Sequence, residues 1–139
     1  ALQNVLSVVN DASTSLDVEA YSFTSKPIAT AIIAAKKRGV SVRVVADEKA
    51  NGDRYSAVTY LANNHVAVRL NSRYAIMHNK VMIADGSTVQ TGSFNYTASA
   101  DSRNAENSIV LRGVPQIAAQ YEKEFNRLWA ESEVLAPAY

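Results

Sequence analysis

The chain has 139 residues, of which 47% are hydrophobic and 19% are charged, and its formal net charge at pH 7 is +1. This length and apolar content suit one hydrophobic core, so we expect a single domain over residues 1–139 and exclude collagen-like, linker-rich and multidomain chains. With no cysteine and only two histidines, a disulfide framework and a thiolate zinc site are excluded, and we expect no metal or other cofactor. No apolar run approaches the roughly 20 residues that span a bilayer, so we expect no membrane partner.

Strand and helix patterns alternate in the first half of the chain. Alternating apolar residues predict a strand near 16–23, and Ser25 with Pro27 is a typical start for a helix that Gly39 ends. A β-branched strand follows at 40–45, then a helix over 54–63 and a strand at 66–70. This β-α-β-α-β order predicts parallel strands joined by right-handed helical crossovers, with both faces of the sheet covered.

Antiparallel pairing is predicted for the second half, where strand patterns at 76–84 and 87–91 are separated only by Asp85 and Gly86. An Asp-Gly pair between two strands is a strong signal for a two-residue hairpin turn. A further strand is expected at 105–111, and Pro115 begins a last helix whose apolar stripe we assign to core packing. The predicted fold is therefore α/β, with a mixed β-sheet flanked by helices on both faces.

Four polar residues are expected on one face of this hairpin. A two-residue turn pairs Lys80 with Thr91 and His78 with Ser93. Because alternate residues of a strand share a face, His78, Lys80, Ser93 and Asn95 should point the same way. A lone histidine is more often structural, but an imidazole grouped with an ammonium, a hydroxyl and a carboxamide suits the binding and attack of a phosphate group.

The same residues form a spaced motif. The segment from His78 through Lys80 to Asp85, followed by Gly92-Ser93-Phe94-Asn95, fits the pattern HxKxxxxD with GSxN downstream. With roughly one chance in twenty for each defined position, coincidence is a poor explanation for a match at all six. The chain resembles the phospholipase D superfamily. Its short length and single motif copy are similar to the small bacterial endonucleases of that superfamily rather than to the two-motif lipases.

This resemblance implies an activity and an assembly. In the superfamily two motif copies build one active site, in which one histidine attacks phosphorus and the other protonates the leaving oxygen. A chain with one copy is therefore expected to form a homodimer that brings both His78 side chains to one phosphodiester. Lys80, Ser93 and Asn95 of both subunits would bind the phosphate, and hydrolysis would proceed without a metal through a phosphohistidine.

Two acidic residues complete the candidate catalytic set. The family has a glutamate downstream of GSxN that orients the motif histidine, and the resemblance assigns this role to Glu106. The alternative is that Glu106 is an ordinary exposed strand residue. Asp85 belongs to the family signature, but it also occupies the predicted turn. We favour a structural role for Asp85, because a turn does not direct its side chain to the phosphate face.

Nucleic acid, either DNA or RNA, is the expected substrate because the sequence has no amphipathic anchor or exposed apolar stripe to receive acyl chains. Candidates for phosphate contact or base stacking, each with an ordinary surface or core role as its alternative, are Lys49, Arg54, Arg73, Arg103, Tyr74 and Tyr96. Two other functions stay open: a phospholipase or phosphatidyl transferase of the same superfamily, and a catalytically silent nucleic-acid-binding module. The resemblance also implies a periplasmic or secreted location.

Overall fold

The computed structural model describes residues 1–52, 56–97, 100–101 and 104–137. The main helices are α1 (Leu2–Asp11), α2 (Lys26–Lys37), α3 (Ala57–Asn63) and α4 (Pro115–Ala130), with a short 3-10 helix at Lys49–Asn51. The strands are β1 (Ser15–Ala20), β2 (Ser41–Asp47), β3 (Ala67–Asn71), β4 (Val81–Ala84), β5 (Thr88–Gly92), β6 (Ser108–Leu111) and β7 (Glu133–Val134).

One mixed sheet organises these elements in the order β6-β5-β4-β1-β2-β3-β7. The parallel pairing of β1, β2 and β3 confirms the crossover topology predicted from the alternating pattern. Strands β4, β5 and β6 follow β1 in antiparallel succession, as the hairpin signal predicts. Strand β7, which the sequence patterns did not indicate, pairs antiparallel with β3 at the edge. Strand β1 therefore lies at the centre of the described sheet.

Helices cover both faces of the sheet, as predicted. On one face, apolar residues of α1, α2 and α3 pack against β1 residues such as Leu16 and Val18. On the other face, α4 contributes residues such as Phe125 to a second apolar cluster that includes Val45 and Val81. Both faces of β1 are therefore shielded from water, which matters for the polar residues that this strand carries.

The helix boundaries follow local signals. Ser25 caps α2 by accepting the backbone N–H of Ile28 at 3.3 Å, and Gly39, with φ +99°, ends the turn that follows, as predicted. Helix α3 begins at Ala57, because Ser56 acts as its N-cap through the backbone N–H of Val58; the start predicted at 54 lies outside the described residues.

The hairpin turn at 85–86 forms as predicted, but the strand register differs by one residue from the prediction. Both turn residues have left-handed φ values of 57° and 67°, and the Ser87 N–H donates to the Ala84 carbonyl at 3.1 Å. The strands nevertheless pair Ala84 with Thr88. The physical reason is that the Ser87 carbonyl accepts a hydrogen bond from the Val114 N–H at 2.9 Å, so Ser87 is an extra residue outside the ladder.

The strand predicted at 76–84 is shorter than expected. β4 begins at Val81, and Thr91 lies opposite Val81 instead of opposite Lys80. The register that paired Lys80 with Thr91 and His78 with Ser93 is therefore wrong. Other contacts fix the positions of the motif residues, as the next subsection describes.

Candidate active site

Residues 76–80 form neither helix nor strand, and polar side chains of neighbouring strands hold them in place. Three hydrogen bonds do so: the Met77 N–H donates to Asp47 Oδ1 (2.7 Å), the Asn79 amide donates to Glu19 Oε1 (2.9 Å), and the Thr91 hydroxyl donates to the Lys80 carbonyl (3.1 Å). Asp47 and Glu19 are 2% and 1% exposed. The two acceptors are therefore fixed by the packing of β1 and β2, and they orient the His78–Lys80 segment.

The ammonium group of Lys80 lies against the imidazole of His78. Its Nζ is 3.0 Å from Nδ1 and 3.2 Å from Nε2, and it donates to the His78 carbonyl at 3.0 Å. Tyr21 packs on the imidazole with ring centroids 4.7 Å apart. Burial lowers the pKa of Lys80, while the negative charge of Glu106 acts to raise it. A largely buried cation is thus held beside an exposed imidazole, which allows both groups to act on one anion.

Ser93 and Glu106 form a second pair of motif residues. The Ser93 hydroxyl donates to Glu106 Oε1 at 2.5 Å, and the Asn104 amide donates to Glu106 Oε2 at 3.1 Å. Within the described residues neither carboxylate oxygen bonds to His78, so the orienting contact expected for Glu106 is absent from the single chain. The carboxylate lies instead beside Ser93 and close enough to Lys80 to influence its pKa.

Gly92 explains why glycine precedes Ser93 in the motif. A Cβ at this position would lie 2.3 Å from the carbonyl oxygen of Asn107. The same carbonyl accepts the Ser93 N–H at 3.1 Å, and the Asn107 N–H donates to the Ser93 hydroxyl at 3.1 Å. Because only glycine permits this backbone approach, Gly92 brings Ser93 within reach of Glu106.

Asn95 lies apart from these two pairs. Its side chain is half-buried, and in the part of the chain that the structure describes its Oδ1 atom is buried without a hydrogen-bond partner. The four groups expected on one surface are therefore not all in contact within one chain. His78 contacts Lys80, and Ser93 bonds to Glu106, whose charge acts on Lys80. Asn95 makes no described side-chain contact with the other three.

Asp85 anchors the entry to β1. Its carboxylate accepts the backbone N–H groups of Ser13 (3.1 Å), Thr14 (2.7 Å) and Ser15 (3.0 Å). The whole of β4 separates Asp85 from His78. Burial acts to raise the pKa of Asp85, but these hydrogen bonds outweigh it and lower the pKa below 3.8. The geometry favours the structural role over the catalytic one.

Replacement of Asp85 by asparagine is expected to destabilise the protein by about 1–3 kcal/mol at neutral pH, because an amide oxygen is a weaker acceptor for three N–H groups. An acid with a depressed pKa stabilises the fold above its unfolded value, and that contribution is lost as pH falls through its folded pKa. Urea unfolding should therefore show a smaller difference in the free energy of unfolding between the unmodified protein and Asp85→Asn at about pH 3 than at about pH 7. Asp11→Asn, at an exposed position, is the control, and lost turnover with unchanged stability would contradict the structural role.

An open cavity of about 580 Å³ lies beside His78 and Lys80. Its wall also includes Glu19 of β1, and Tyr121 and Glu124 of α4. None of these three residues was predicted from the sequence. Tyr121 and Glu124 were missed because the last helix was assigned to core packing alone. A signal for Glu19 existed, because an acidic residue on a strand covered on both faces has to be buried.

Acidic residues of β1 face α4. Asp17 is 3% exposed and accepts two hydrogen bonds from the Arg43 guanidinium at 2.8 and 2.9 Å. On α4, Glu122 lies 3.8 Å from the same guanidinium. Burial raises the pKa of Glu19 to about 7. Burial and the nearby Asp17 raise the pKa of Glu122 to about 8. Both carboxyl groups therefore keep a substantial neutral fraction near pH 7, where an exposed glutamate is ionised.

The free energy of unfolding is expected to fall by about 3–6 kcal/mol between pH 5 and pH 8. Between the unfolded pKa of 4.5 and the raised folded values, the native state binds more protons than the unfolded chain at Glu19 and Glu122. Stability from these groups is therefore complete below pH 4.5 and is lost as pH rises through 7 and 8. Urea unfolding of the protein and of Glu122→Gln measures this slope, which should be shallower in the variant. A flat profile between pH 5 and pH 8 would contradict it.

The residues predicted to contact nucleic acid differ in where the structure places them. Tyr96 is 0% exposed and donates its hydroxyl to Gln90 at 2.7 Å, so the proposed base stacking by Tyr96 is wrong. Tyr74 is 38% exposed and borders a smaller cavity with His78. Lys49 and Arg73 are exposed. Arg54 and Arg103 lie outside the described residues.

Among the described residues, no group of three or more His, Asp or Glu side chains is placed to hold a metal ion. No helix there is both long and apolar enough to cross a bilayer.

The structure is similar along almost its whole length to a known phospholipase D family member, Nuc from Salmonella typhimurium. The two share 40% identity with a TM-score of 0.96, covering 98% of this chain and 91% of Nuc. NucT from Helicobacter pylori has the same fold, with a TM-score of 0.83 at 23% identity, over 96% of this chain and 90% of that one.

Sequence relatives agree with this fold. A phospholipase D of Rickettsia conorii is 36% identical over 119 residues, which is 86% of this chain and 60% of that protein. A mitochondrial cardiolipin hydrolase of Xenopus tropicalis is 34% identical over 131 residues, 94% of this chain and 62% of that protein. The chain thus spans about 60% of the length of these curated relatives. The family model described as "Cardiolipin synthase, PLD-like domain" matches residues 5–129. These matches establish that the chain belongs to the phospholipase D superfamily.

Proposed function

We propose that this phospholipase D-superfamily protein is an endonuclease that hydrolyses nucleic acid phosphodiester bonds without a metal, at an active site shared by two subunits. The observation that carries the proposal is the exposed His78 imidazole with the Lys80 ammonium 3.0 Å from a ring nitrogen, at the wall of an open cavity. This arrangement supplies a nucleophile and a cation for the same phosphate group.

The proposed reaction is a double displacement at phosphorus. In the first step a neutral ring nitrogen of His78 forms a bond to phosphorus, and the bond from phosphorus to the leaving ester oxygen breaks. The partner subunit's His78 donates a proton to that oxygen. In the second step the partner subunit's His78 takes a proton from water. The water oxygen forms a bond to phosphorus, and the bond from phosphorus to the nucleophilic His78 breaks. Lys80 stabilises the negative charge on the non-bridging oxygens in both steps.

A second copy of the chain is the proposed source of the acid. The chain has only one other histidine, His65, which lines a separate cavity formed with β3 and the residues after α4. Within one chain the structure therefore offers His78 no second imidazole. Ile76, two residues before His78, is 49% exposed, and an apolar side chain at that place is available for contact with a partner. A two-fold contact there would bring two equivalent sites together.

The resemblance to the small bacterial endonucleases of the superfamily, together with the similarity to Nuc over nearly the whole of both chains, supports nucleic acid as the substrate. The exposed Lys49 and Arg73 add positive charge that could contact a phosphate backbone. The second candidate function is hydrolysis or transfer at a phospholipid diester. It is favoured by the names of the curated relatives, phospholipase D and cardiolipin hydrolase.

The deciding experiment incubates the purified protein with supercoiled plasmid DNA in excess EDTA, and in parallel with vesicles of phosphatidylcholine or cardiolipin. We expect DNA to be nicked and the lipids to be left intact. Turnover of lipid alone would replace the nuclease proposal with the phospholipid function. DNA binding without nicking would indicate a catalytically silent binding module. His78→Asn, purified in the same way, controls for contaminating nuclease.

A further inference from the structure

Glu19 occupies a position where an apolar residue would ordinarily lie. It is on the central strand β1, and its direct neighbours in the sheet are Val45 of β2 and Val81 of β4. Both valines belong to the apolar cluster beneath α4. Glu19 is 1% exposed, and burial of a charged carboxylate among apolar groups is costly. Packing alone therefore does not explain a carboxyl group at this position.

The carboxyl group has one satisfied and one unsatisfied oxygen. Oε1 accepts the Asn79 amide at 2.9 Å, which ties Glu19 to the segment between His78 and Lys80. Oε2 is buried, and it has no hydrogen-bond partner in the described residues. The side chain also forms part of the cavity wall beside His78 and Lys80. A residue with a buried carboxyl oxygen that has no hydrogen-bond partner in the described residues thus forms part of the wall of the space proposed for the substrate.

No cation is bonded to the Glu19 carboxyl group within the described residues, although the charge of Arg127 acts to lower its pKa. In that part of the chain the charged and titratable groups around it are Asp17 on β1, Arg43 on β2, His78 and Lys80 before β4, Tyr96 after β5, and Tyr121, Glu122, Glu124 and Arg127 on α4. Arg43 is engaged by Asp17, Arg127 by Glu124, and Lys80 by His78. Among the described residues, the only hydrogen bond to the Glu19 carboxyl group comes from the neutral Asn79 amide. Its ionised form therefore adds a negative charge that no bonded cation offsets.

We propose that Glu19 sets the upper pH limit of substrate binding: its carboxyl group is neutral while an anionic diester binds, and its ionisation places a negative charge at the cavity wall that repels the diester. The proposal rests on the proposed function for the identity of the ligand. Because burial raises the pKa of Glu19 to about 7, the change in binding falls just above neutral pH. Glu19 acts on the substrate through charge and through Asn79, so it is a positioning residue.

Sulfate binding tests this charge effect without turnover. Sulfate does not titrate near neutral pH, so any pH dependence of its dissociation constant belongs to the protein. Calorimetric titrations between about pH 5.5 and about pH 8.5 compare the unmodified protein with Glu19→Gln and Glu122→Gln. We expect sulfate binding to weaken by roughly tenfold more in the unmodified protein than in Glu19→Gln over this range. Glu122→Gln removes the other acid with a raised pKa, which does not line the cavity, and should behave as the unmodified protein does.

Glu19→Met keeps a similar side-chain volume but removes both the charge and the Asn79 contact. If Glu19→Gln fails to fold, Glu19→Met carries the same test, and the same roughly tenfold smaller loss of sulfate affinity is expected. Equal pH profiles for the unmodified protein and the folded Glu19 variant would overturn the proposal. So would a profile flattened equally by Glu122→Gln, since that result would assign the effect to general stability.

Plasmid cleavage provides the second readout. Above pH 7, KM for DNA is expected to rise less steeply in Glu19→Gln than in the unmodified protein; a KM that rises equally in both proteins would overturn the proposal. If the unmodified protein cleaves no DNA, the proposed function fails, whereas the sulfate titrations still decide the role of Glu19.

Discussion

Replacement of His78 by asparagine is expected to reduce DNA cleavage by at least about 10³-fold. A carboxamide cannot form the covalent phosphorus–nitrogen intermediate or transfer the proton, so either proposed role of the histidine is lost. His78 is exposed, and three hydrogen bonds hold the residues around it: the Met77 N–H donates to Asp47, the Asn79 amide donates to Glu19, and the Thr91 hydroxyl donates to the Lys80 carbonyl. The fold should therefore survive, and the rate of plasmid nicking per folded molecule measures the effect.

His65→Asn is the matched control for this substitution. His65 is the only other histidine, it is exposed, and its φ of 66° suits asparagine. We expect its nicking rate to match that of the unmodified protein. Full activity in His78→Asn would remove His78 as the nucleophile, and equal losses in both variants would show that the effect is not specific to the site.

Mixing His78→Asn with the unmodified protein tests the shared site directly. If each working site needs His78 from both subunits, equal amounts that exchange freely should leave about a quarter of the starting activity in place of a half, because only one dimer in four carries two intact histidines. Activity that falls only in proportion to dilution would contradict the two-subunit site, while leaving the nucleophile assignment intact.

Replacement of Lys80 by methionine is expected to lower kcat/KM by about 10²-fold, equivalent to about 3 kcal/mol of transition-state stabilisation. Methionine keeps an unbranched apolar stem in the space that Lys80 occupies at 8% exposure, but removes the ammonium 3.0 Å from the His78 ring. The change should appear in kcat as well as KM, because negative charge on the non-bridging oxygens is largest in the transition state.

Lys37→Met is the control for Lys80→Met. Lys37 is an exposed residue at the end of α2, on the face of the sheet opposite α4, and its loss changes net charge by the same amount. We expect it to leave kcat/KM within about twofold, since isolated surface charges are screened. A similar loss in both lysine variants would mean that Lys80 acts through overall charge, and no loss in either would contradict its role in catalysis.

The fold could be predicted from the sequence because its signals are local. The spacing of apolar residues predicts the parallel β1, β2 and β3 unit, Ser25 predicts the start of α2, and the Asp85-Gly86 pair predicts the hairpin turn. The predicted strand register of the hairpin is wrong by one residue, because the Ser87 carbonyl accepts a hydrogen bond from the Val114 N–H and Ser87 does not pair with β4. A hydrogen bond between residues so distant in sequence leaves no trace in a local pattern.

Membership of the phospholipase D superfamily and the residues of its motif were determined by the sequence alone, because the motif is an ordered set of residue types at constant spacing. Only the tertiary structure decided their environment. The packing of α4 over β1 buries Glu19. The close approach of Asn107 to Gly92 places Ser93 within hydrogen-bond distance of Glu106. Tyr96 is buried in the core, where its hydroxyl donates to Gln90. Burial, hydrogen-bond partners and pKa depend on which distant segments meet, and that is settled by packing of the whole domain rather than by neighbours in the chain.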